Sequence, residues 1–576
     1  MTFTDDESTV SHPQEGARIL NALRIEALRE VDGAQFIWFH RKVTLVAGVG
    51  FFTDAYDIFA INMAAIMLGY VYGHTPDPYC RPSLNPAQDL GLKIATPVGT
   101  LFGQLFFGWF ADIVGRKKMY GVELVMMIVG TFAQATAADG QAMNIIAILI
   151  FWRFIVGLGV GGDYPLSATI ASEFAPTRHR GRMMTGVFSA QGWGTLAASI
   201  VATFITIAYK EKISSDFPLC TLTCPTDPTQ RLLCSPKSGL NHVDYMWRLL
   251  LGLGCVPGAI ALYFRLTIPE TPRFTMDIER NVARATAEIH GALNNNTGGY
   301  DPYAVTQRAD APRATRRDFL HFFGQRDNLL MLFGTAWSWF AIDVAFYTLS
   351  LNSSLILEAI KFGGSPDVYK NLYNLCIGNL ILSLAGLIPG YLVCFVFIDS
   401  WGRKPIQLMG FAVLTCLFTI MASSFNRLIP FEGATTPGSA VPSKTVAFVF
   451  LYCLANFFQN FGPNTTSFII PGEIFPTRYR ATAHGISAAT GKLGAIVAQC
   501  MFINLDPISK PQKNLALSFG VLAVFMLTGV GSTLLVPETK GISLEVLSNE
   551  SQEGFMRPPP RRINVQDGVV IPLQDH

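Results

Sequence analysis

The sequence predicts an all-α polytopic membrane protein whose twelve transmembrane helices form two pseudo-symmetric six-helix bundles. Three observations lead to this prediction. Half of the 576 residues are hydrophobic, the apolar residues form twelve long stretches, and three short motifs occur twice in the same order. A helix needs about 20 mostly apolar residues to cross a bilayer, and each stretch meets that length.

The composition narrows the class of protein. Only 15% of the residues are charged, whereas soluble proteins average about 25%, and the mean hydropathy is +0.34. The formal net charge of +2 gives no sign of nucleic-acid binding, so the partner that the composition indicates is the lipid bilayer. Nucleotide-binding loops, clusters of metal ligands and nucleophile elbows are not recognisable in the sequence. We therefore expect neither an enzyme nor a resident cofactor or metal.

The twelve predicted spans fall into two sets of six. The long polar segment 268–327 separates the sets, and we expect it to link a first bundle at 41–267 to a second at 328–537. Polar tails at 1–40 and 538–576 flank the two bundles. The predicted spans are 42–72, 92–112, 119–138, 144–170, 184–208, 246–267, 328–352, 372–398, 405–424, 445–470, 482–503 and 516–536.

The basic residues predict the orientation in the membrane. Basic clusters at 116–118, 178–182, 403–404 and 478–480, as well as the central linker, follow even-numbered spans. Cytoplasmic loops carry an excess of lysine and arginine, so both tails and the linker are predicted to be cytoplasmic. The loops 73–91 and 209–245 then lie outside the cell. They contain Cys80, Cys220, Cys224 and Cys234. We predict at least one extracellular disulfide among these cysteines, and free thiols are the alternative.

Three pairs of motifs show that the two halves repeat each other. EFAPTRHR at 173–180 recurs as EIFPTRYR at 473–480, and DIVGRK at 112–117 recurs as DSWGRK at 399–404. PETPR after the sixth span is echoed by PETKG after the twelfth. Parallel repeats of six helices are typical of transporters that move one half against the other around a site at the membrane midplane.

Three motifs carry a resemblance to a known family. GWFADIVGRK at 108–117 and RFIVGLGVG at 153–161 resemble signatures of the major facilitator superfamily, although the second copy of the first motif has Phe395 in place of its leading glycine. GGDYPLSATIASE at 161–173 resembles the signature of the phosphate:proton symporter family, the fungal high-affinity phosphate permeases in particular. The resemblance implies a multi-pass plasma-membrane protein that imports inorganic phosphate with protons by alternating access.

Two ionisable residues lie near the middle of predicted spans in the second half. An ionisable group at the bilayer centre costs about 2.5–3.5 kcal/mol on insertion scales, so it is a functional candidate by default. Asp343 lies near the centre of the seventh span, and Trp339 and Tyr347 share its helix face because each is four residues away. Lys492 is interpreted as the only strong cation deep in a span. The alternative for both residues is structural, as an interhelical hydrogen bond or a buried salt bridge.

Candidate proton-coupling residues lie in the first half. Asp54 and Asp57 are three residues apart on one helix face, where repulsion between two carboxylates favours retention of a proton. The resemblance assigns proton coupling to this pair and to Asp163. Glu123 and Arg153 are weaker candidates, and a salt bridge between them is the alternative. A hydrogen bond between packed helices is the alternative for Asp163, since Gly157 and Gly161, spaced four apart, permit close packing. A pair of acids at the membrane edge is the alternative for Asp54 and Asp57.

The resemblance also supplies neutral binding residues and a gate. It places Tyr164, Gln191 and Asn464 at positions that bind phosphate in the family, and Asn460 lies one turn before Asn464. Gating is expected of ion pairs at the cytoplasmic helix ends, including Glu173 with Arg178 and Glu473 with Arg478. The eight predicted gating residues are Asp112, Arg116, Glu173, Arg178, Asp399, Arg403, Glu473 and Arg478.

Proton-coupled phosphate import therefore has two rivals. One is a symporter of the same fold for sugar or another solute, against which Lys492 argues because a sugar site needs no buried ammonium. The other is a receptor that binds phosphate and signals through its polar tails without needing transport.

Overall fold

A computed structural model describes most of the chain. The described residues are 12–73, 75–76, 82–217, 242–279, 281, 285, 289, 312–360, 367–428, 443–504, 511–553, 555, 565–566 and 569–570. Three of the four loop cysteines lie in 218–241 and the fourth is Cys80, so the disulfide prediction falls outside the described residues.

Within the described residues, twelve helical segments are long and apolar enough to cross a membrane, which confirms the predicted number and order. We number them span one to span twelve. They are Trp38–Tyr72, Pro86–Val114, Arg116–Thr136, Ile145–Phe174, Arg180–Ala208, Val243–Leu266, Arg326–Leu351, Val368–Trp401, Arg403–Phe425, Thr445–Ile474, Arg480–Asn504 and Asn514–Leu534.

Three spans consist of more than one regular helix. Span six joins Val243–Gly252 to Cys255–Leu266, and span ten joins Ser443–Asn460 to Pro463–Ile474. Proline has no amide hydrogen to donate, which explains why the helix of span ten is interrupted just before Pro463. Span eight contains a single π-helical turn at Ser383–Leu387 between its two α-helical parts.

Further elements lie outside the spans. The first of them, which the sequence pattern did not predict, is a helix of 22 residues at His12–Gly33 in the N-terminal tail. Two antiparallel ladders pair two-residue strands, with Thr75 opposite Ser83 and Val565 opposite Val570. The other short helices are Lys210–Asp216, Pro272–Asp277, Arg316–Phe323, Ser353–Ala359 and Leu544–Leu547.

Glycine allows spans two and four to pack backbone to backbone. A Cβ added at Gly161 would lie 2.5 Å from the carbonyl oxygen of Thr100, and one added at Gly157 would overlap the carbonyl of Thr96. The close packing expected from the spacing of these two glycines is therefore confirmed. It brings the backbones of spans two and four into contact, and Asp163 and Tyr164 are buried just after Gly161.

Candidate functional site

A buried ion pair lies at the centre of the second half. The Lys492 ammonium of span eleven lies 2.8 Å from the Asp343 carboxylate of span seven, and each side chain is 2% exposed. Gly491 permits this approach, because a Cβ there would lie 2.5 Å from Trp339 Cδ1 and 2.9 Å from Asp343 Oδ2. The buried salt bridge that the sequence analysis held open for Lys492 is thus present in this conformation.

Aromatic rings surround the ammonium. Lys492 Nζ lies 4.8 Å from the ring centre of Tyr164 and 4.7 Å from that of Tyr347, so cation–π attraction supports the charge from both halves. The Trp339 ring is 6.3 Å from that of Tyr164. Trp339, Asp343 and Tyr347 all lie against the Lys492 region, which confirms that they share one helix face.

A tyrosine that the sequence analysis did not select joins the two predicted amides. The Tyr391 hydroxyl donates to Gln191 Oε1 at 3.3 Å and accepts from Asn464 Nδ2 at 3.1 Å. Asn464 also donates to Asn460 Oδ1 at 2.8 Å. Tyr391 thereby connects Gln191 of the first half to Asn464 of the second half. Its position in the apolar stretch IPGYLV gave no sign of this contact.

An acidic cluster forms around one guanidinium in the first half. Arg265 of span six donates to Asp163 Oδ2 at 2.8 Å and also pairs with Glu123. Ser167 donates to the other Asp163 oxygen at 2.7 Å. The Arg265 guanidinium lies 4.0 Å from the centre of the Tyr120 ring. Every member of this acidic cluster is buried.

Arg265 corrects the interpretation of Lys492 as the only strong cation deep in a span. Its guanidinium is fully buried, although it lies only one residue before the end of span six at Leu266. The physical reason is that side chains on an α-helix tilt towards the helix N-terminus. That tilt turns a long side chain at the C-terminal end back into the membrane. The signal in the sequence was a lone arginine in the apolar run ALYFRLT.

Asp54 faces this cluster, whereas Asp57 does not. The Asp54 carboxyl lies beside that of Asp163, and apart from that neighbouring carboxyl no donor of the described residues reaches either of its oxygens. Asp57 instead accepts a hydrogen bond of 2.6 Å from Thr131 and lies near Arg153. The expected mutual pair of Asp54 and Asp57 is therefore wrong, because three residues of helix turn the two carboxyls towards different neighbours.

The alternative salt bridge between Glu123 and Arg153 is absent from the described contacts. Glu123 pairs with Arg265, while Arg153 donates from Nε to the carbonyl oxygen of Leu92 at 2.8 Å. Arg153 has Asp57 as its neighbouring carboxylate. The cation that Glu123 pairs with is therefore Arg265 and not Arg153.

At one end of the bundle, which we call the charged end, the two halves are joined by a repeated pattern of hydrogen bonds. Asp112 accepts from the backbone N–H groups of Ala481 and Thr482 at 3.4 and 2.8 Å. Its repeat partner Asp399 accepts from those of Gly181 and Arg182 at 3.1 and 2.9 Å. The duplicated DIVGRK and DSWGRK motifs therefore anchor each half to the start of a span in the other half.

Each aspartate is also paired within its own motif. Arg116 lies 3.1 Å from Asp112, and Arg403 lies 3.0 Å from Asp399, both one helical turn away. These contacts place four of the predicted gating residues in one interface between the halves.

The glutamates of the longer motif use different arginines from those predicted. Glu173 pairs with Arg480 at 2.7 Å, and Glu473 pairs with Arg180 at 2.8 Å. Arg403 adds a second contact to Glu473 at 2.9 Å, and Arg116 lies 3.5 Å from Glu173. The interface is therefore closed by buried arginines at the first residue of spans five and eleven.

The expected pairs Glu173–Arg178 and Glu473–Arg478 are wrong. Arg178 is exposed in the turn before span five, and Arg478 instead contacts Asp318 at 2.7 Å and pairs with Glu550. Each predicted arginine, Arg178 or Arg478, lies two positions before the arginine that forms the ion pair. It belongs to the turn that precedes the span, so its side chain points away from the interface.

The opposite end of the bundle is also closed by contacts between the halves. Asn62 donates to Ser353 at 2.5 Å, and Asn371 donates to Tyr70 at 3.0 Å. Between the two ends, none of the seven predicted substrate-binding residues is more than 3% exposed. They are Tyr164, Gln191, Trp339, Asp343, Tyr347, Asn464 and Lys492.

Two six-helix halves, a polar site closed at both ends and a duplicated charged interface define a membrane transporter of the major facilitator superfamily. Comparison with solved structures supports the fold. The proton:xylose symporter XylE bound to 6-bromo-6-deoxy-D-glucose matches with a TM-score of 0.64 and 20% identity, over 88% of this chain and 98% of that one.

The sequence comparisons give the family. The model of the family described as "Sugar (and other) transporter" matches residues 43–550, and the chain belongs to that family. It is 43% identical to the repressible high-affinity phosphate permease of Neurospora crassa, over 95% of this chain and 92% of that protein. It is 44% identical to the inorganic phosphate transporter PHO84 of Saccharomyces cerevisiae, over 91% and 86%. An inorganic phosphate transporter of Arabidopsis thaliana, 1-1, is 36% identical over 92% and 98%.

Proposed function

We propose that this protein imports inorganic phosphate together with protons by alternating access. The single observation that carries the proposal is the buried Lys492–Asp343 pair of the second half, whose ammonium also faces Tyr164 of the first half. A buried ammonium between two tyrosine rings suits a small anion, and its carboxylate partner provides a group that the anion replaces. The names of the similar proteins identify phosphate as the first anion to test.

Protonation of Asp343 is the proposed switch. While Asp343 is ionised, its carboxylate forms an ion pair with the Lys492 ammonium at 2.8 Å and repels an approaching anion. A proton on Asp343 removes both effects, so the ammonium becomes available to phosphate. Loss of that proton on the inner side restores the repulsion and drives the release of phosphate.

Neutral donors complete the proposed binding site. The hydroxyls of Tyr164 and Tyr347, the indole N–H of Trp339 and the amides of Gln191 and Asn464 are hydrogen-bond donors suited to phosphate oxygens. Tyr391 holds the two amides at 3.3 and 3.1 Å, and we include it as a positioning residue. Rings on both sides of the ammonium exclude water, which strengthens the attraction between charges.

Symport with protons gives the process its direction. A monoanion that enters a cell with a negative interior moves uphill by about 2.3 kcal/mol per 100 mV. Two or more protons make the transferred charge positive, and each pH unit adds about 1.4 kcal/mol per proton. Asp54, Asp57, Asp163 and Glu123, with Arg153 beside Asp57, are the proposed proton-coupling groups of the first half. Because Tyr164 follows Asp163 directly, span four links these groups to the anion site.

The charged end is the proposed inner gate. With the orientation that the basic residues predict, this end faces the cytoplasm of a cell whose plasma membrane holds the protein. Opening it requires the contacts of Asp112, Asp399, Glu173 and Glu473 across the two halves to separate. Arg116 and Arg403 stay with their own aspartates one turn away and balance those charges after opening.

Uptake of radiolabelled phosphate into proteoliposomes tests the proposal. We expect accumulation only with an inward proton gradient, and its loss in Asp343→Asn. Asp327→Asn is the matched control, because Asp327 lies on the same helix but is exposed at its first turn. Competition by arsenate and not by glucose is expected. Phosphate uptake that ignores the gradient, or whose pH dependence is unchanged in Asp343→Asn, would refute proton coupling through this residue.

A further inference from the structure

An open groove of about 800 Å³ runs along the outer surface of the first half and starts at the charged end. Its walls come from spans one and five, and Phe395 of span eight closes one side. The floor and walls are largely apolar, whereas the mouth at the charged end carries Arg41, His179 and Arg182. This groove is separate from the buried anion site.

Two helical stripes of matching chemistry form the groove. On span one, Arg41 is followed by Leu45 and Phe52, and on span five Arg182 is followed by Ala190 and Trp193. The spacing in each stripe follows the helix repeat, so each runs along one face. Each stripe thus begins with a cation at the mouth of the groove and ends with an aromatic ring at the opposite end of the groove.

The length of the stripes corresponds to one leaflet of a bilayer. Eleven residues separate Arg41 from Phe52 and Arg182 from Trp193, and at about 1.5 Å per residue this is about 16 Å. One leaflet contributes about 15 Å of the hydrocarbon core. Trp38 is 72% exposed three residues before Arg41, and exposed tryptophan at a span end is typical of the membrane–water interface. The arginines therefore lie at headgroup depth.

The two arginines have capacity for an anion. The exposed Arg41 guanidinium has no hydrogen bond or ion pair with the described residues. Arg182 donates to the carbonyl oxygen of Val396 at 3.4 Å, and its Nε is buried without a partner among the described residues. The nearby Asp399 carboxylate is paired with Arg403, so it does not neutralise the mouth of the groove.

We propose that this groove binds a phospholipid with an anionic headgroup from the leaflet at the charged end. Arg41 and Arg182 bind the headgroup, and an acyl chain lies between Leu45, Phe52 and Trp193. Because Phe395 belongs to the other half, the lipid also contacts the surface that moves when the halves separate. On the other side of the interface, spans two and eleven pack directly, with a Cβ at Gly108 only 2.7 Å from Ala481 O.

Native mass spectrometry of the purified full chain tests this proposal without phosphate transport, so its outcome is independent of the substrate. The probes are phosphatidylserine and phosphatidylcholine of matched acyl chains. We expect the first bound phosphatidylserine to be retained preferentially, and its occupancy to fall at least about five-fold in the double variant Arg41→Gln/Arg182→Gln. Arg317→Gln removes an exposed charge outside the groove and serves as the matched control.

A second variant separates the groove from general surface charge. Ala190→Trp leaves both arginines in place and fills the groove, so phosphatidylserine occupancy should fall as in the double variant. Unchanged occupancy in Ala190→Trp would show adsorption by headgroup charge alone and overturn the proposal. Equal retention of the two lipids by the unmodified chain, or displacement of phosphatidylserine by inorganic phosphate, would also overturn it.

Discussion

The Lys492–Asp343 pair and the acidic cluster around Arg265 lie in different halves of the protein and differ in their balance of charge. In the second half, the Lys492 ammonium faces one carboxylate, Asp343, at 2.8 Å. In the first half, the Arg265 guanidinium forms ion pairs with both Asp163 and Glu123, and Asp54 lies beside Asp163. The first-half cluster therefore has three carboxyl groups for one cation, whereas the second-half pair is balanced.

This difference in charge balance indicates that the two clusters have different functions. A balanced pair among neutral donors exchanges one anion for another without a net change of buried charge. A cluster with excess carboxyl groups is stable in a low-dielectric interior only when it retains protons, because uncompensated buried charge is costly. We therefore assign anion binding, controlled by the one proton of Asp343, to the second half and storage of the further protons to the first.

Removal of Arg265 should have the largest effect. Arg265→Met leaves the carboxyls of Asp163 and Glu123 without their cation, and loss of one partner from a buried pair typically destabilises a protein by about 3–5 kcal/mol. We expect a large fall in thermal unfolding temperature and no phosphate uptake. Fluorescence-detected unfolding in detergent and proteoliposome uptake measure the two effects.

A triple variant shows whether charge imbalance causes that loss. Arg265→Met combined with Asp163→Asn and Glu123→Gln removes the cation and both paired carboxyls, so stability should return while proton-coupled uptake remains absent. An Arg265→Met protein as stable as the unmodified chain would contradict the charge balance drawn here.

Substitution of Lys492 should abolish transport with a smaller loss of stability. Lys492→Gln leaves only Asp343, which becomes neutral by taking up one proton. Loss of a buried charged contact to the anion costs about 3 kcal/mol, or about a 150-fold loss of uptake at 1.4 kcal/mol per tenfold. Uptake at limiting phosphate and thermal unfolding are the measurements. Lys492→Gln/Asp343→Asn should regain stability and still fail to transport. Destabilisation equal to that of Arg265→Met would remove the distinction between the clusters.

A glycine in span one tests the geometry of the first cluster. A Cβ at Gly50 would overlap the Arg265 guanidinium and crowd Asp163. Gly50→Ala should therefore displace Arg265, with overpacking that costs about 1–3 kcal/mol and a matching fall in proton-dependent uptake. Gly520→Ala is the control, since its Cβ meets only Ala422 Cβ at 4.0 Å. Normal uptake and stability in Gly50→Ala would show that Arg265 is placed differently.

The sequence predicted the fold and most of the second-half site for identifiable reasons. Long apolar stretches determine twelve spans almost without regard to tertiary contacts. The positions of Trp339, Asp343 and Tyr347 at intervals of four fix a shared helix face, and Lys492 stands twelve residues from the nearest charge. In these cases the spacing of residues along a single helix is enough to predict their positions.

The partners in the first half and at the charged end depend on tertiary structure and were missed. Arg265 lies at a span end, where an arginine ordinarily marks the membrane boundary. The tilt of its side chain towards the helix N-terminus and the space left by Gly50 together place its guanidinium inside. The exchange of Arg178 for Arg180 depends on where span five begins, a boundary that apolar patterns do not define. Tyr391 lies in an apolar run, and its contact with Gln191 crosses the two halves.

Tyr391 tests whether the neutral part of the anion site depends on the contact between the halves. Tyr391→Phe removes the hydroxyl that joins Gln191 and Asn464 at 3.3 and 3.1 Å, while the ring stays against Phe188. One such hydrogen bond contributes about 1 kcal/mol, or about five-fold. We expect the apparent affinity for phosphate to weaken by that factor, with the pH dependence of uptake unchanged because no charge is altered. Initial rates over a range of phosphate concentration and pH distinguish these effects. A shift in pH dependence would place Tyr391 with the proton-coupling groups and would contradict the functions assigned here to the two halves.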